Sequence, residues 1–376
     1  MNILVFSWRD PKHPTAGGAE QVMHEHMKGW VGAGHNVTLF SSYYLGSKHE
    51  EILDGIKIIR RGDQYFGVRL AGYSYWRKNK NNYDLVIDQF HGIPFFTPLY
   101  AKKPILAVLQ EVAREVWFLN ELPQPFKWIV GFLGYLFEPL IFILYRKVLF
   151  MVGSNSAKND LSKMGIPADN INVIPHGVII KKPEPLPEKE KIKTIVFLGA
   201  LTKDKEVEDA LKAFAILDRN GRFQFWVIGH GSTKYQKFLK NLCKKLNIQN
   251  KVKFWGFISQ EKKFKLLARA HILVNPSIRE GWGLVNIEAN AMRTPVIAYR
   301  VPGLIDSVKN GESGILCREN TPEALAQESS NLVKNEKLWK MMQKSALLWS
   351  RKFSWNKSKK ISLQLLNRVA SIKGSV

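Results

Sequence analysis

The chain is poor in cysteine and, relative to base, in acid. Its two cysteines, Cys243 and Cys317, are too few and too isolated for a disulfide framework or a zinc site. There are 32 Asp and Glu against 56 Lys and Arg, a formal net charge of +24. Zinc-finger spacing and RNP-type aromatic runs are missing, so no nucleic-acid module is expected. No Asp-x-Asp pair stands in a loop to hold a divalent metal, and no metal ligand is assigned. Met1-Asn2-Ile3-Leu4-Val5-Phe6-Ser7 lacks a basic leader and is too short for a signal peptide. A reducing cytoplasm is therefore the expected compartment.

Long apolar runs are also scarce. The richest stretch, 129–152, is broken by Glu138-Pro139 and followed by Arg146-Lys147. Its pieces, Ile129–Phe137 and Leu140–Tyr145, are each too short to span a bilayer. Two readings stand: a pair of core helices, or an amphipathic surface lying peripherally on a membrane beside basic residues.

What is present is the composition of an ordinary globular protein, 45% apolar and 23% charged. At 376 residues, two domains are expected. The positive charge favours anionic partners such as nucleotide phosphates or anionic lipid. It is equally compatible with a highly soluble surface.

Short β-branched runs alternate with helical patterns. Asn2–Ser7, Asn36–Ser41, Asp84–Asp88, Pro104–Leu109, Val148–Gly153 and Ile171–Ile174 read as strands, with a helix over Glu20–Ala33. Residues 181–192 are charged and proline-rich and read as a linker. The alternation restarts with strands at Lys193–Leu198, Phe223–Ile228, Lys251–Phe254, Ile272–Asn275 and Pro295–Ala298. The expected fold class is α/β, with two doubly wound Rossmann-like domains, 1–180 and 193–350, facing a cleft. A helical segment, 351–376, is expected to pack back on the first domain. Ligands of such sheets bind in loops at the carboxyl ends of strands.

The strongest motif lies in one such loop: Glu280-Gly281-Trp282-Gly283-Leu284-Val285-Asn286-Ile287-Glu288. Gly281 and Gly283 permit a tight turn with exposed N–H groups, and a helix starting there can face a phosphate. Glu288, one turn in, can accept hydrogen bonds from a ribose diol. Glu280 can meet sugar hydroxyls.

Glu280 and Glu288 resemble the E-x7-E signature of retaining GT-B glycosyltransferases (glycosyltransferase family 4, group 1). Gly17-Gly18-Ala19-Glu20, Asp88 with His91-Gly92, Ser154-Asn155-Ser156, His176-Gly177 and Phe197-Leu198-Gly199 with Lys205 resemble further motifs of that family. The resemblance covers nearly the whole chain. It implies a hexosyltransferase with a nucleoside-diphosphate sugar donor, UDP- or GDP-linked, and no other cofactor. It places Lys205 on the diphosphate leaving group and Gly17 and Gly18 near the diphosphate or the acceptor. The acceptor would be a glycan or lipid-linked glycan.

Two positions depart from the pattern. Ala200 stands where the family has arginine. Gln110 stands where it has a histidine near the sugar; glutamine can hydrogen-bond a hydroxyl but carries no proton or charge. His91 is an alternative polar group. Glu111, Arg114, Glu115 and Trp117 follow the same strand and could shape an acceptor pocket. The departures motivate a second reading, a sugar-nucleotide or glycan-binding protein of the same fold with little turnover. A GT-B epimerase is a third.

Overall fold

The computed structural model describes residues 1–119, 123–219 and 221–372. The chain divides into two compact units. The first comprises residues 1–177 and the segment from Trp355 onward; the second is Val178–Ser354.

Among the described residues, the first unit is built on eight strands: β1 (Asn2–Phe6), β2 (Asn36–Ser41), β3 (Glu50–Leu53), β4 (Ile56–Arg60), β5 (Leu85–Phe90), β6 (Ile105–Leu109), β7 (Leu149–Val152) and β8 (Ile171–Val173). Their order is β3-β4-β2-β1-β5-β6-β7-β8. All pairs are parallel except β3 on β4. That antiparallel edge was not legible as a strand pair, because its apolar runs, Ile52-Leu53 and Ile58-Ile59, are only two residues long between charged ones. The central strand β5 is buried throughout, as a strand covered on both faces must be.

One face of this sheet is covered by α2 (Phe66–Asn79), α3 (Phe126–Leu144) and α4 (Asn155–Lys163), through Val68, Trp76, Phe142, Tyr145 and Leu161. The other face takes α1 (Gly18–Gly32) and the C-terminal helix Trp355–Ser371, through Met23, Trp30 and Leu366. That helix is fastened to α1. Trp30 Nε1 donates to Ser362 Oγ at 3.2 Å, and Lys359 pairs with Glu25 at 2.7 Å. A Cβ on Gly29 would lie 2.8 Å from the Lys359 side chain, so the glycine sets the helix separation. Residues 373–376 of the segment read as the terminal helix lie outside the described residues.

The expectation of two core helices within 129–152 is corrected. Residues 129–144 lie in one helix, α3, with Pro139 inside it and most of its large apolar side chains exposed, and Leu149–Val152 form the buried strand β7.

Among the described residues, the second unit has six parallel strands: β9 (Lys193–Leu198), β10 (Phe223–Ile228), β11 (Val252–Gly256), β12 (Ile272–Asn275), β13 (Val296–Ala298) and β14 (Gly314–Leu316). Their order is β11-β10-β9-β12-β13-β14. The helices are α5 (Val207–Leu217), α6 (Thr233–Lys245), α7 (Gln260–Arg269), α8 (Leu284–Ala291), α9 (Leu304–Ser307), α10 (Pro322–Lys334) and α11 (Glu336–Ser350). Ser232, Ser259, Thr321 and Asn335 cap α6, α7, α10 and α11 by accepting a backbone N–H of the first turn. The chain builds outward from β9 to β11 and then returns to add β12 on the other side. The gap between β9 and β12 is therefore a topological switch point, where the two flanking loops diverge and leave a crevice.

Residues 181–192, read as a linker, are not a free tether. Lys189 Nζ donates to Ala270 O at 2.6 Å, Arg293 O at 3.0 Å and Thr294 Oγ1 at 2.8 Å. Burial lowers its pKa to about 7. All three acceptors belong to the second unit.

Candidate functional site

The switch point of the second unit brings the loops after β9 and β12 together. The first loop runs from Gly199 to a 3-10 turn at Lys203–Lys205. The second runs from Pro276 to Gly283. They are tied through the backbone, Ile278 N donating to Asp204 O at 2.9 Å. Across this seam Lys205 Nζ lies 2.8 Å from Glu280 Oε1, and within its own turn it lies 3.4 Å from Asp204 Oδ2. The Lys205 and Glu280 side chains are each about one-fifth exposed, so the pair is held by the fold yet open to solvent.

Glu280 is positioned from behind by a buried polar chain. Ser277 Oγ sits 3.1 Å from Glu280 Oε1 and 2.8 Å from Asn275 Oδ1. Asn275 Nδ2 donates to Asn286 Oδ1 at 3.0 Å, and Asn286 Nδ2 donates to Ser307 Oγ at 2.9 Å. The chain joins the end of β12, the first turn of α8 and the end of α9. Such a satisfied network fixes one geometry, because any displaced member leaves a buried polar atom unpaired. The backbone of Glu280 is also held, its N–H reaching Pro302 O at 3.2 Å. Gly303 at φ +80 makes that approach possible, since a Cβ there would lie 1.9 Å from Glu280 O.

Gly283 is the N-cap of α8 at φ +84, a conformation that favours glycine. Gly281 precedes it, and Leu284 and Val285 open the helix. The first-turn N–H groups of α8 thus face the loop that carries Glu280. Trp282 is different: the residue is buried and its ring meets Phe353 edge-to-face at 5.2 Å, so it anchors the loop. Glu288 lies further along α8, with a side chain 14% exposed and Lys263 Nζ 2.5 Å away. Burial raises its carboxyl pKa, and Lys263 works against that rise.

Gly199 lies on the other side of the seam. Its N–H donates to Ile228 O at 3.0 Å, and Leu201 N donates to His230 O at 2.8 Å. A Cβ on Gly229 would fall 1.7 Å from Gly199 O, so the loops after β9 and β10 can close only with glycine there. Ala200 is exposed.

The other candidate residues belong to the first unit, in loops at the carboxyl ends of β1, β5 and β6. Gly17 is the N-cap of α1, and its N–H donates to Glu20 Oε2 at 2.7 Å. Glu20 in turn pairs with Arg9 at 2.8 Å. The Gly17 amide is therefore already engaged by a carboxylate, and Gly18 is the first residue of the helix. His91 opens the loop after β5, beside Gly92, where a Cβ would lie 2.7 Å from the Trp117 ring. Gln110 Oε1 lies 2.6 Å from His176 Nε2. Burial holds the His176 pKa down to about 4, so its neutral ring donates through Nε2 and the glutamine accepts. The Gln110 amide nitrogen is what remains to meet another group.

The loop following Gln110 is fixed from below by a buried acid. Glu138 of α3 accepts from Ala113 N at 2.7 Å, Arg114 N at 2.8 Å and Trp117 Nε1 at 3.3 Å. Among the described residues, no three His, Cys, Asp or Glu side chains gather as a metal-holding group.

A family model described as glycosyl transferases group 1 matches residues 178–349. The Glycosyltransferase Family 4 model matches residues 16–182. The chain belongs to the group 1, family 4 glycosyltransferases.

An uncharacterized glycosyltransferase of Methanocaldococcus jannaschii is 34% identical over 162 residues, covering 43% of this chain and 44% of that protein. The matched stretches span less than half the length of such curated relatives. The fold is that of the sucrose-phosphate synthase from Thermosynechococcus elongatus, with TM-score 0.79, 19% identity and 98% of both chains covered. Anabaena HepE, solved in complex with UDP and glucose, is also similar, with TM-score 0.71, 18% identity, and 98% of this chain and 100% of that one covered.

Within this group 1 chain, the structure brings Lys205, Glu280, Gly281, Gly283, Leu284, Val285 and Glu288 into one region with Gly199. Sequence reasoning missed the supporting residues Asn275, Ser277, Asn286 and Ser307, and the Glu288 partner Lys263. Small polar residues in apolar surroundings, Asn286 and Asn290 on α8 in particular, were the available signal. Lys263 carried none, since it lies in one of many basic pairs.

Proposed function

We propose that this chain is a glycosyltransferase that moves a hexosyl group from a nucleoside-diphosphate sugar, UDP- or GDP-linked, to a glycan or lipid-linked acceptor. The carrying observation is the Lys205–Glu280 pair at the β9/β12 switch point, flanked by the α8 N-terminus and Glu288. An ammonium and a row of helix N–H groups suit a diphosphate, and carboxylates suit the hydroxyls of ribose and sugar. Glu288 would hold the ribose, Glu280 the sugar, and Lys205 with the amides near Gly283-Leu284 the diphosphate. The complex of HepE with UDP and glucose supports a uridine donor as the first to try.

The transfer would proceed with retention and without a metal or other cofactor. The acceptor oxygen attacks C1 from the face the phosphate leaves. The C1–O bond to phosphate breaks as the new C1–O bond forms, and the departing phosphate oxygen takes the acceptor proton. Such a step needs placed positive charge and proximity more than a protein base. The acceptor would be taken by first-unit loops carrying Gly17, Gly18, His91 and Gln110. A cytoplasmic protein meeting its acceptor at the inner face of a membrane fits this reading. The test is a transfer assay with a panel of UDP-, GDP- and ADP-sugars. Turnover of one donor supports the proposal, and release of product by Lys205→Ala at the wild-type rate would remove it.

A second reading is donor binding with little turnover. Ala200 motivates it, as does the engagement of Gln110 by His176. It predicts saturable donor binding and no transfer to any acceptor.

A further inference from the structure

Helix α3 is inside out. Its inward stripe is Gly131, Gly134, Glu138, Ile141 and Phe142, at helical spacing. The two glycines admit aromatic rings of the preceding loop: a Cβ on Gly131 would lie 2.6 Å from Phe118, and one on Gly134 2.3 Å from Trp117. The only acid of the helix faces inward, where Glu138 binds the amides of Ala113 and Arg114. The outward face carries Trp128 at 57% exposure, Phe132 at 59%, Leu136 at 52%, Phe137 at 50%, Leu140 at 52% and Ile143 at 63%. Leaving so much contiguous apolar surface in water is unfavourable, by about 25 cal/mol per Å².

The surroundings say what covers it. Lys127 lies on the helix and Arg146 and Lys147 follow it, while Lys102 and Lys103 precede β6. No acidic side chain stands on the outward face of 126–147, because Glu138 is buried. On the same face of the sheet, α2 exposes Phe66, Leu70 and Tyr73 beside Arg77 and Lys78, and the β5–β6 connection exposes Leu99. Base predominates at the border, with Asp63 before α2 and Glu115 in the loop before α3 as the nearby exposed acids. Such an apolar face complements an anionic bilayer, whose surface attracts Lys and Arg and whose acyl region takes the rings.

We infer that this face of the first unit docks on an anionic lipid surface, with α3 lying in the membrane interface. By length and composition α3 could cross a bilayer. Its inward stripe contradicts that arrangement: Glu138, Phe142 and the two glycines are committed to the protein, so lipid can reach one side only. The docked helix is bonded through Glu138 to the loop 111–119 that follows Gln110. A lipid-linked acceptor held in the same bilayer would thus be delivered beside that loop. This last link rests on the proposed glycosyl transfer; vesicle binding needs neither donor nor turnover, so the two readings fail separately.

The test is flotation of the full chain with vesicles of phosphatidylcholine, alone or mixed with phosphatidylglycerol. The chain is expected to float with the mixed vesicles. The triple variant Phe132→Ser, Leu136→Ser, Leu140→Ser should lose at least about tenfold in partition while keeping its circular dichroism and melting temperature, since all three residues are exposed. A fluorophore on Phe132→Cys should be quenched more by nitroxide near the headgroup than at the acyl end; the two native cysteines are buried and do not compete. The inference is overturned if the wild type stays unbound with both vesicles, or if the triple variant binds as well as wild type. It is also overturned if ultracentrifugation shows a dimer that the triple variant dissolves, or if quenching is strongest at the acyl end.

Discussion

Lys205 and Glu280 are 75 residues apart in sequence, and their charged atoms are 2.8 Å apart. The pairing follows from the strand order, which sets β9 beside β12. Because the pair is partly exposed, it contributes little to folding, about 1 kcal/mol or less. Its value lies in charge placed before a ligand arrives. Lys205→Ala is therefore expected to lower kcat/KM for transfer by about 10²–10³-fold with a small change in thermal stability. Steady-state kinetics beside a thermal melt checks this. A large loss of stability with unchanged turnover would make the lysine structural.

Gly303 offers a test that leaves every proposed ligand-contacting residue unsubstituted. Its φ is +80, and a Cβ there would meet Glu280 O at 1.9 Å. Gly303→Ala must push the Glu280 backbone away from the seam. Sugar-nucleotide affinity should fall by about tenfold or more, since charge-assisted hydrogen bonds are worth about 1.5–3 kcal/mol. Calorimetric titration of the variant measures it.

Glu206 gives a pH dependence of defined sign. It follows Lys205 at φ +46, and burial, then Asp209 and Glu208, raise its carboxyl pKa from 4.5 to about 7. Between those values the folded chain keeps a proton that the unfolded chain releases. The associated stability is fully present below 4.5 and is lost as pH rises through about 7. Glu206→Gln should flatten this fall. Glu206→Gly should add about 1 kcal/mol at neutral pH by also relieving the left-handed backbone. Urea unfolding of the three proteins across the window is the measurement.

Two buried histidines of the first unit act in the opposite direction. Burial depresses His26 to about 3 and His176 to about 4, from 6.5. The unfolded chain gains protons first as pH falls, so their contribution is complete above 6.5 and is lost through about 4. His26→Leu should reduce the acid sensitivity of the first unit, followed by its own unfolding transition, and leave the Glu206 effect unchanged.

Much of the fold was legible because parallel strands buried on both faces read as continuous apolar runs; Lys193–Leu198 and Phe223–Ile228 carry the same bounds in the structure. The Glu280–Glu288 loop was legible because glycines between a strand and a helix have few other uses. What was not legible depended on distant partners. Lys189 looks like a linker residue until Ala270, Arg293 and Thr294 supply its acceptors. The burial of Glu138 requires the amides of Ala113 and Arg114, and without them 129–152 reads as core. Asn275, Ser277, Asn286 and Ser307 form one chain only after β12, α8 and α9 converge.

The central claim is that the α8 loop grips a sugar nucleotide, and titration of UDP- and GDP-sugars into wild type and Glu288→Ala tests it most directly. The account predicts saturable binding of one donor by wild type and at least about tenfold weaker binding by the variant, the loss of a charge-assisted contact to ribose. Binding of no sugar nucleotide by wild type, or equal binding by both proteins, would contradict it.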